Sequence, residues 1–71
     1  MTEMNTPMKD KNYNLVSVLY HALQGSETCG TYLQDAEMSA DKELADFFGE
    51  VDTRYRQIAD RAKELLSPRL E

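Results

Sequence analysis

The sequence has one cysteine, one histidine and no tryptophan among its 71 residues. A lone cysteine excludes a disulfide within the chain, and Cys29 with His21 falls short of the four ligands of a structural zinc site. Domains this short seldom bury enough apolar surface to be stable without a disulfide, a metal or a partner chain. These absences favour association with a second chain as the source of stability.

Basic residues are also in the minority, since the net charge is −5 and the pI is about 4.7. Proteins that bind nucleic acid or anionic membranes present a basic face, which this composition does not supply. The sequence shows neither a signal-peptide pattern nor an apolar run long enough to span a bilayer. We expect a soluble cytoplasmic protein with no nucleic-acid or membrane partner.

The first helix is predicted from apolar and small residues that recur at steps of three and four between Leu15 and Ala36. This period is typical of one face of an α-helix. We predict a helix over about residues 12–37, with Asn12 as its N-cap because the period starts just after it.

Two glycines, Gly25 and Gly30, fall inside this helix. Each costs about 1 kcal/mol relative to alanine in a helix interior, so a packing reason is expected. We predict close approach of a neighbouring helix backbone, and a kink at Gly25-Ser26 is the alternative.

The segment MSAD, which ends at Asp41, predicts a tight turn in which Ser39 caps the second helix. We predict that helix over about residues 41–67, ended by Ser67-Pro68 because proline disfavours helical backbone in the residue before it. A short connection between two long helices makes them antiparallel neighbours.

Outside the helices, residues 1–11 are polar and lack a period, which predicts a flexible N-terminal tail. Thr6-Pro7 is an alternative helix start in that tail, because proline suits the first turn of a helix. Residues 68–71 are predicted to be a C-terminal tail.

The second helix carries the clearest pattern, with apolar residues at alternating steps of four and three from Leu44 to Leu65. This is a heptad seam, widened by flanking apolar residues beyond what a two-stranded coiled coil needs. We therefore predict an all-α fold, an antiparallel two-helix hairpin that dimerises into an up-and-down four-helix bundle, with a tetramer as the alternative assembly. The predicted dimer core is Leu15, Leu19, Ala22, Cys29, Leu33, Leu44, Phe48, Val51, Tyr55, Ile58, Ala62 and Leu65.

Few residues are candidates for metal binding or catalysis. Glu27 and Glu50 are a candidate carboxylate pair for metal binding, and His21 is the one candidate imidazole ligand. Polar neighbours along the helix favour an exposed His21. Solvated side chains are also favoured for the two glutamates, because any acidic helical protein offers such pairs. Cys29 falls on the apolar stripe with no basic residue within a helical turn, which favours a small core residue over a nucleophile.

The stretches LVSVLYHALQGSETCGTYLQDAE and KELADFFGEVDTRYRQIADRAKELL resemble half of a ferritin-like, rubrerythrin-type bundle, in particular small bacterial hairpin domains of unknown function. The resemblance implies a metal-ligand glutamate at Glu27. It also implies a glutamate and a histidine on the second helix, after an aromatic pair such as Phe47-Phe48. The two registers place there either Arg54 and Gln57 or Glu50 and Thr53. Neither register offers a histidine, so the resemblance supports the bundle and opposes a di-iron site.

No catalytic or cofactor motif is present, so we predict that the protein is not an enzyme and carries no cofactor. The expected function is a noncatalytic, self-associating helical module for protein–protein interaction. One alternative is a ferritin-like metal-binding protein that uses Glu27 and Glu50 from two chains. Another is a small-ligand carrier with a cleft lined by Tyr20, Tyr32 and Tyr55.

Overall fold

The structure, a computed structural model, describes residues 10–70. Helix α1 spans Lys11–Met38, helix α2 spans Lys42–Leu66, and a short 3-10 helix follows at Ser67–Leu70. The two long helices pack against each other, and residues 10–70 contain no strand. The predicted helical hairpin is confirmed. The prediction for residues 1–9, including Thr6-Pro7, lies outside the described residues.

The N-cap of α1 lies two residues before the predicted one. The carboxylate of Asp10 accepts a hydrogen bond from the backbone N–H of Tyr13 at 3.0 Å, so Asp10 is the N-cap and Asn12 lies inside the helix. The prediction of Asn12 was wrong because it relied on where the apolar period begins, and the exposed first turn carries no such period. A capping carboxylate satisfies a free backbone N–H whether or not the helix is apolar at that point.

The turn between the helices contains a left-handed residue, Ala40, with φ of 58°. The backbone N–H of Asp41 donates to the carbonyl of Ala36 at 2.9 Å, across this residue. This is the bond pattern of a Schellman motif, which usually places glycine at the left-handed position. The chain therefore reverses direction at a residue that carries a Cβ.

Both residues that flank Ala40 cap a helix, although not as predicted. The carboxylate of Asp41 accepts from the backbone N–H of Leu44 at 3.1 Å and starts α2. The hydroxyl of Ser39 donates to the carbonyl of Asp35 at 3.0 Å and closes α1. The prediction that Ser39 caps the second helix was therefore wrong, because the carboxylate next to the helix takes that role.

Helix α2 ends one residue before Ser67-Pro68, as the proline predicts. The chain beyond it, predicted as a tail, continues as the 3-10 helix Ser67–Leu70. The guanidinium of Arg69 donates to the carbonyl of Leu65, which satisfies one of the free carbonyls at the helix end.

Only small side chains are buried between the helices in the part of the chain that the structure describes. On α1 the buried residues recur every seven positions, and those of α2 lie three apart, with exposed fractions of 2–6%. They are Ala22, Cys29 and Ala36 on α1, and Ala59 and Ala62 on α2. The predicted burial of Cys29 is confirmed.

The two glycines of α1 have different surroundings. The aromatic ring of Tyr55 lies against Gly25. Among the described residues, a Cβ at Gly30 would meet nothing within 4 Å beyond its chain neighbours and the backbone of its own helix. The expected backbone approach was therefore wrong: a side chain packs on Gly25, and Gly30 has no packing partner in the hairpin. Helix α1 runs through Gly25-Ser26 without interruption.

Candidate self-association surface

The predicted dimer core divides into three levels of burial in one hairpin. Ala22, Cys29 and Ala62 are buried, whereas Leu44 and Ile58 remain 45% and 46% exposed. The other members are half-buried, and they are Leu15, Leu19, Leu33, Phe48, Val51, Tyr55 and Leu65. The packing of α1 on α2 thus leaves part of the predicted core facing solvent.

This division follows from the rotation of α2 about its axis. Ala59 is the most buried residue, with 2% exposed, and it follows Ile58 by one position. One position corresponds to about 100° around a helix, so the row that contains Ile58 is turned to the edge of the helix contact. That row recurs every seven residues and comprises Leu44, Val51, Ile58 and Leu65.

An apolar groove of about 450 Å³ runs along this edge near the chain ends. Its apolar lining comes from both helices, and its polar lining comes from α2. The apolar residues are Leu15, Val18, Ile58, Ala62 and Leu65, and the polar ones are Arg54, Gln57 and Arg61.

A second groove, of about 310 Å³, lies at the turn end. Its aromatic wall is formed by Tyr32 and Phe48, whose ring centroids are 5.6 Å apart. Phe47 extends the cluster, with its ring centroid 5.8 Å from that of Phe48. Leu44 and Ala36 complete the apolar lining, and Asp35, Ser39 and Asp41 provide the polar part.

The two grooves and the α2 row that links them form one surface, which we call the open face. Val18 and Tyr32 are 50% and 48% exposed, similar to Leu44 and Ile58. The open face comprises Leu15, Val18 and Tyr32 of α1, and Leu44, Val51, Ile58 and Leu65 of α2.

A polar cluster between the helices was not predicted from the sequence. The hydroxyl of Ser26 donates to Oδ1 of Asp52, and Nη2 of Arg56 lies 3.2 Å from Oδ2 of the same carboxylate. The Asp52 side chain is only 16% exposed. The Ser26 hydrogen bond and the Arg56 charge lower the pKa of Asp52, against a raising effect of burial.

The candidate metal ligands do not converge within one hairpin. Glu27 is exposed, and it lies two residues from buried Cys29, so it is on the side of α1 away from α2. Glu50 is exposed and pairs with Arg54 at 3.0 Å. His21 is exposed, with Nδ1 2.8 Å from the carbonyl oxygen of Ser17. Among the described residues, no three His, Cys, Asp or Glu side chains lie close enough to hold a metal ion.

The three tyrosines proposed to line a cleft are not brought together. Tyr32 belongs to the turn-end groove, and the ring of Tyr55 is packed on Gly25. Tyr20 is 56% exposed and contacts the ring of His21 edge-on. It lies in a second exposed apolar row of α1, the outer row, which comprises Tyr13, Val16, Tyr20 and Leu23.

The fold and the open face define this protein as an all-helical hairpin with an unpartnered apolar surface. Neither described helix is apolar over a length that would cross a bilayer. Compared with models of protein families, with curated proteins and with solved structures, the chain gives no match.

Proposed function

We propose that this protein is a noncatalytic helical module for protein–protein interaction that self-associates through the open face. Two hairpins pack open face to open face and form an up-and-down four-helix bundle. The apolar stripes of both chains then share one core that includes large side chains, which the core of a single hairpin lacks.

The observation that carries this proposal is the composition of the buried core. Four alanines and one cysteine are buried, and no large side chain in the described part of the chain is completely buried. Leucine, isoleucine and phenylalanine are normally among the most buried residues. Complete burial of one such side chain stabilises a fold by about 1.5–3 kcal/mol, and Leu44 and Ile58 have obtained only part of this. Packing of a second open face would supply the remainder.

The distribution of charge supports the same arrangement. The 15 residues 12–26 of α1 contain no Asp, Glu, Lys or Arg, although these residues make up 30% of the chain. The ion pairs found between described residues all lie on α2, with basic side chains that are 69–86% exposed. The basic residues of α2 thus form a face of mixed charge with their acidic partners. Arg54 and Arg61 lie along one side of the open face, whereas residues 12–26 of α1 bring no charge to it.

The ferritin-like alternative requires carboxylates from two chains, since one hairpin does not assemble them. It therefore also depends on self-association, and it adds bound metal as a separate observable. The tetramer requires a further surface, for which the outer row is the available one.

The test compares two aspartate substitutions at sites of equal exposure. Ile58, on the open face, and Leu23, on the outer row, are 46% and 47% exposed. Ile58→Asp replaces an apolar side chain of the proposed interface with a charged one, so we expect loss of dimerisation together with loss of folding. Phe48→Asp should behave in the same way. Leu23→Asp should leave a folded dimer.

Light scattering after size exclusion gives the mass, and circular dichroism gives the helix content. A well-folded monomer of Ile58→Asp would contradict the dependence of the hairpin on its partner. An unchanged dimer of that variant, with loss of assembly in Leu23→Asp, would move the interface to the outer row.

A further inference from the structure

We infer that the two hairpins pack with opposite ends together. The turn end of each open face then lies against the chain end of the other, which is the end where α1 begins and α2 ends. This inference rests on the proposed self-association and adds the orientation of the second copy. The two ends of the open face differ in charge and in shape, and each difference favours the same orientation.

The charges that line the open face are segregated along its length. At the chain end, the groove of about 450 Å³ is lined by Arg54 and Arg61. An adjoining groove of about 360 Å³ shares Leu15, Val18 and Leu65 with it and adds Lys11 and Arg69. At the turn end, the charged lining residues are Asp35 and Asp41. The charged residues that line the grooves are therefore basic at the chain end and acidic at the turn end.

A two-fold axis repeats every contact, which doubles the effect of this segregation. With opposite ends together, carboxylates of each copy meet guanidinium groups of the other at both ends. With like ends together, carboxylates face carboxylates and guanidinium groups face guanidinium groups. Complementary potentials fix the register of an interface, and like charges in contact oppose it.

The arginines have donors left for such contacts. Arg54 binds Glu50 through Nη2, and Arg61 binds Glu64 through Nη1. A guanidinium group carries five N–H donors, so both side chains can bind a second carboxylate and keep the first.

The shapes of the two ends are also complementary. The turn end projects aromatic side chains, since Tyr32 and Phe47 are 48% and 55% exposed. The chain end offers a groove lined by leucine, isoleucine, valine and alanine side chains. Its volume of about 450 Å³ exceeds the roughly 150 Å³ that accommodates benzene in an apolar cavity, so it has room for a ring.

The orientation can be measured as a distance between spin labels, one on each chain. The label is placed at Met38→Cys at the turn end or, in a second variant, at Ser67→Cys at the other end of α2. Both variants carry Cys29→Ala, or Cys29→Ser if the alanine variant loses helicity. Met38 and Ser67 are exposed, and neither lines any of these three grooves.

If opposite ends lie together, we expect interchain distances on the order of 35–40 Å for both labels, which is about the length of a 25-residue helix. If like ends lie together, the interchain distances should be below about 20 Å for both labels, which is about two helix diameters. Short distances would overturn this inference and leave the proposed dimer standing. The absence of any interchain dipolar signal would show a monomer and overturn the proposed function as well.

Discussion

The ring of Tyr55 occupies the space that a side chain at Gly25 would fill. A Cβ at this glycine would lie 2.7 Å from Cζ of Tyr55 and 2.8 Å from its Cε atoms, closer than packed atoms approach. Gly25 thus allows an aromatic residue of α2 to pack flat on α1. Gly30 has no such neighbour, although both glycines lie inside the same helix.

The two glycines should respond in opposite directions to alanine. Gly25→Ala forces the Tyr55 ring to move and should lower the free energy of unfolding by about 1–3 kcal/mol. Gly30→Ala meets no atom of α2 and should raise it by about 0.5–1 kcal/mol, because alanine is the better helix former. Urea denaturation at equal protein concentration measures both variants. Equal stabilisation by the two substitutions would contradict the Tyr55 contact.

This pair of residues shows where prediction from the sequence stops. The periodicity predicts both helices, and Pro68 predicts the end of α2, because these are local properties of the chain. The contact of Tyr55 with Gly25 and that of Ser26 with Asp52 join residues distant in sequence, so no local pattern contains them.

The seam of α2 illustrates a second limit. The heptad pattern placed the row of Leu44 and Ile58 at the centre of the predicted core, because such a pattern is recognised from large apolar residues. In the hairpin, Ala59 is the most buried residue, since two helices that pack alone approach through their smallest side chains. The large residues are left at the edge, which is where a second hairpin would need them.

The left-handed residue of the turn is a site where a glycine should stabilise the fold. Ala40 has φ of 58°, a conformation that costs an L-residue about 1–2 kcal/mol and costs glycine almost nothing. We expect Ala40→Gly to raise the free energy of unfolding by about 1 kcal/mol. Ala45→Gly, inside α2, should lower it by about the same amount, and thermal denaturation of both variants checks the contrast. Destabilisation by Ala40→Gly would show that the turn is not left-handed.

The Asp52 cluster predicts a specific dependence of stability on acid. The Ser26 hydroxyl and Arg56 hold the pKa of Asp52 below its ordinary value of 3.8. Because the pKa is lower in the folded state, the ionised carboxylate stabilises the fold above about pH 4, and this contribution is lost as the pH falls through the folded pKa.

As the pH is lowered from about 6 to about 2.5, the free energy of unfolding of Asp52→Asn should therefore fall less than that of the unmodified chain. The matched control is Asp46→Asn, which removes an exposed aspartate paired with Lys42 and should leave the pH dependence nearly unchanged. Denaturation curves across this range provide the comparison. Parallel pH profiles for Asp52→Asn and the unmodified chain would mean that the cluster does not form.

Self-association should also make thermal stability depend on protein concentration. A chain that folds only on pairing has a midpoint of unfolding that rises with concentration, because the partner acts as a stabilising ligand. We expect the midpoint to rise by several degrees over a hundredfold increase in concentration, followed by circular dichroism. A midpoint independent of concentration would indicate that the hairpin is stable alone.

The most direct test of the central claim is native mass spectrometry of the full chain purified without chelator, since one spectrum reports both the number of chains and any bound metal. We expect a metal-free assembly of two chains of 8.2 kDa each. An even-numbered assembly that carries stoichiometric iron or manganese would instead support the ferritin-like alternative. A monomer would contradict the claim that this hairpin completes its core with a second copy.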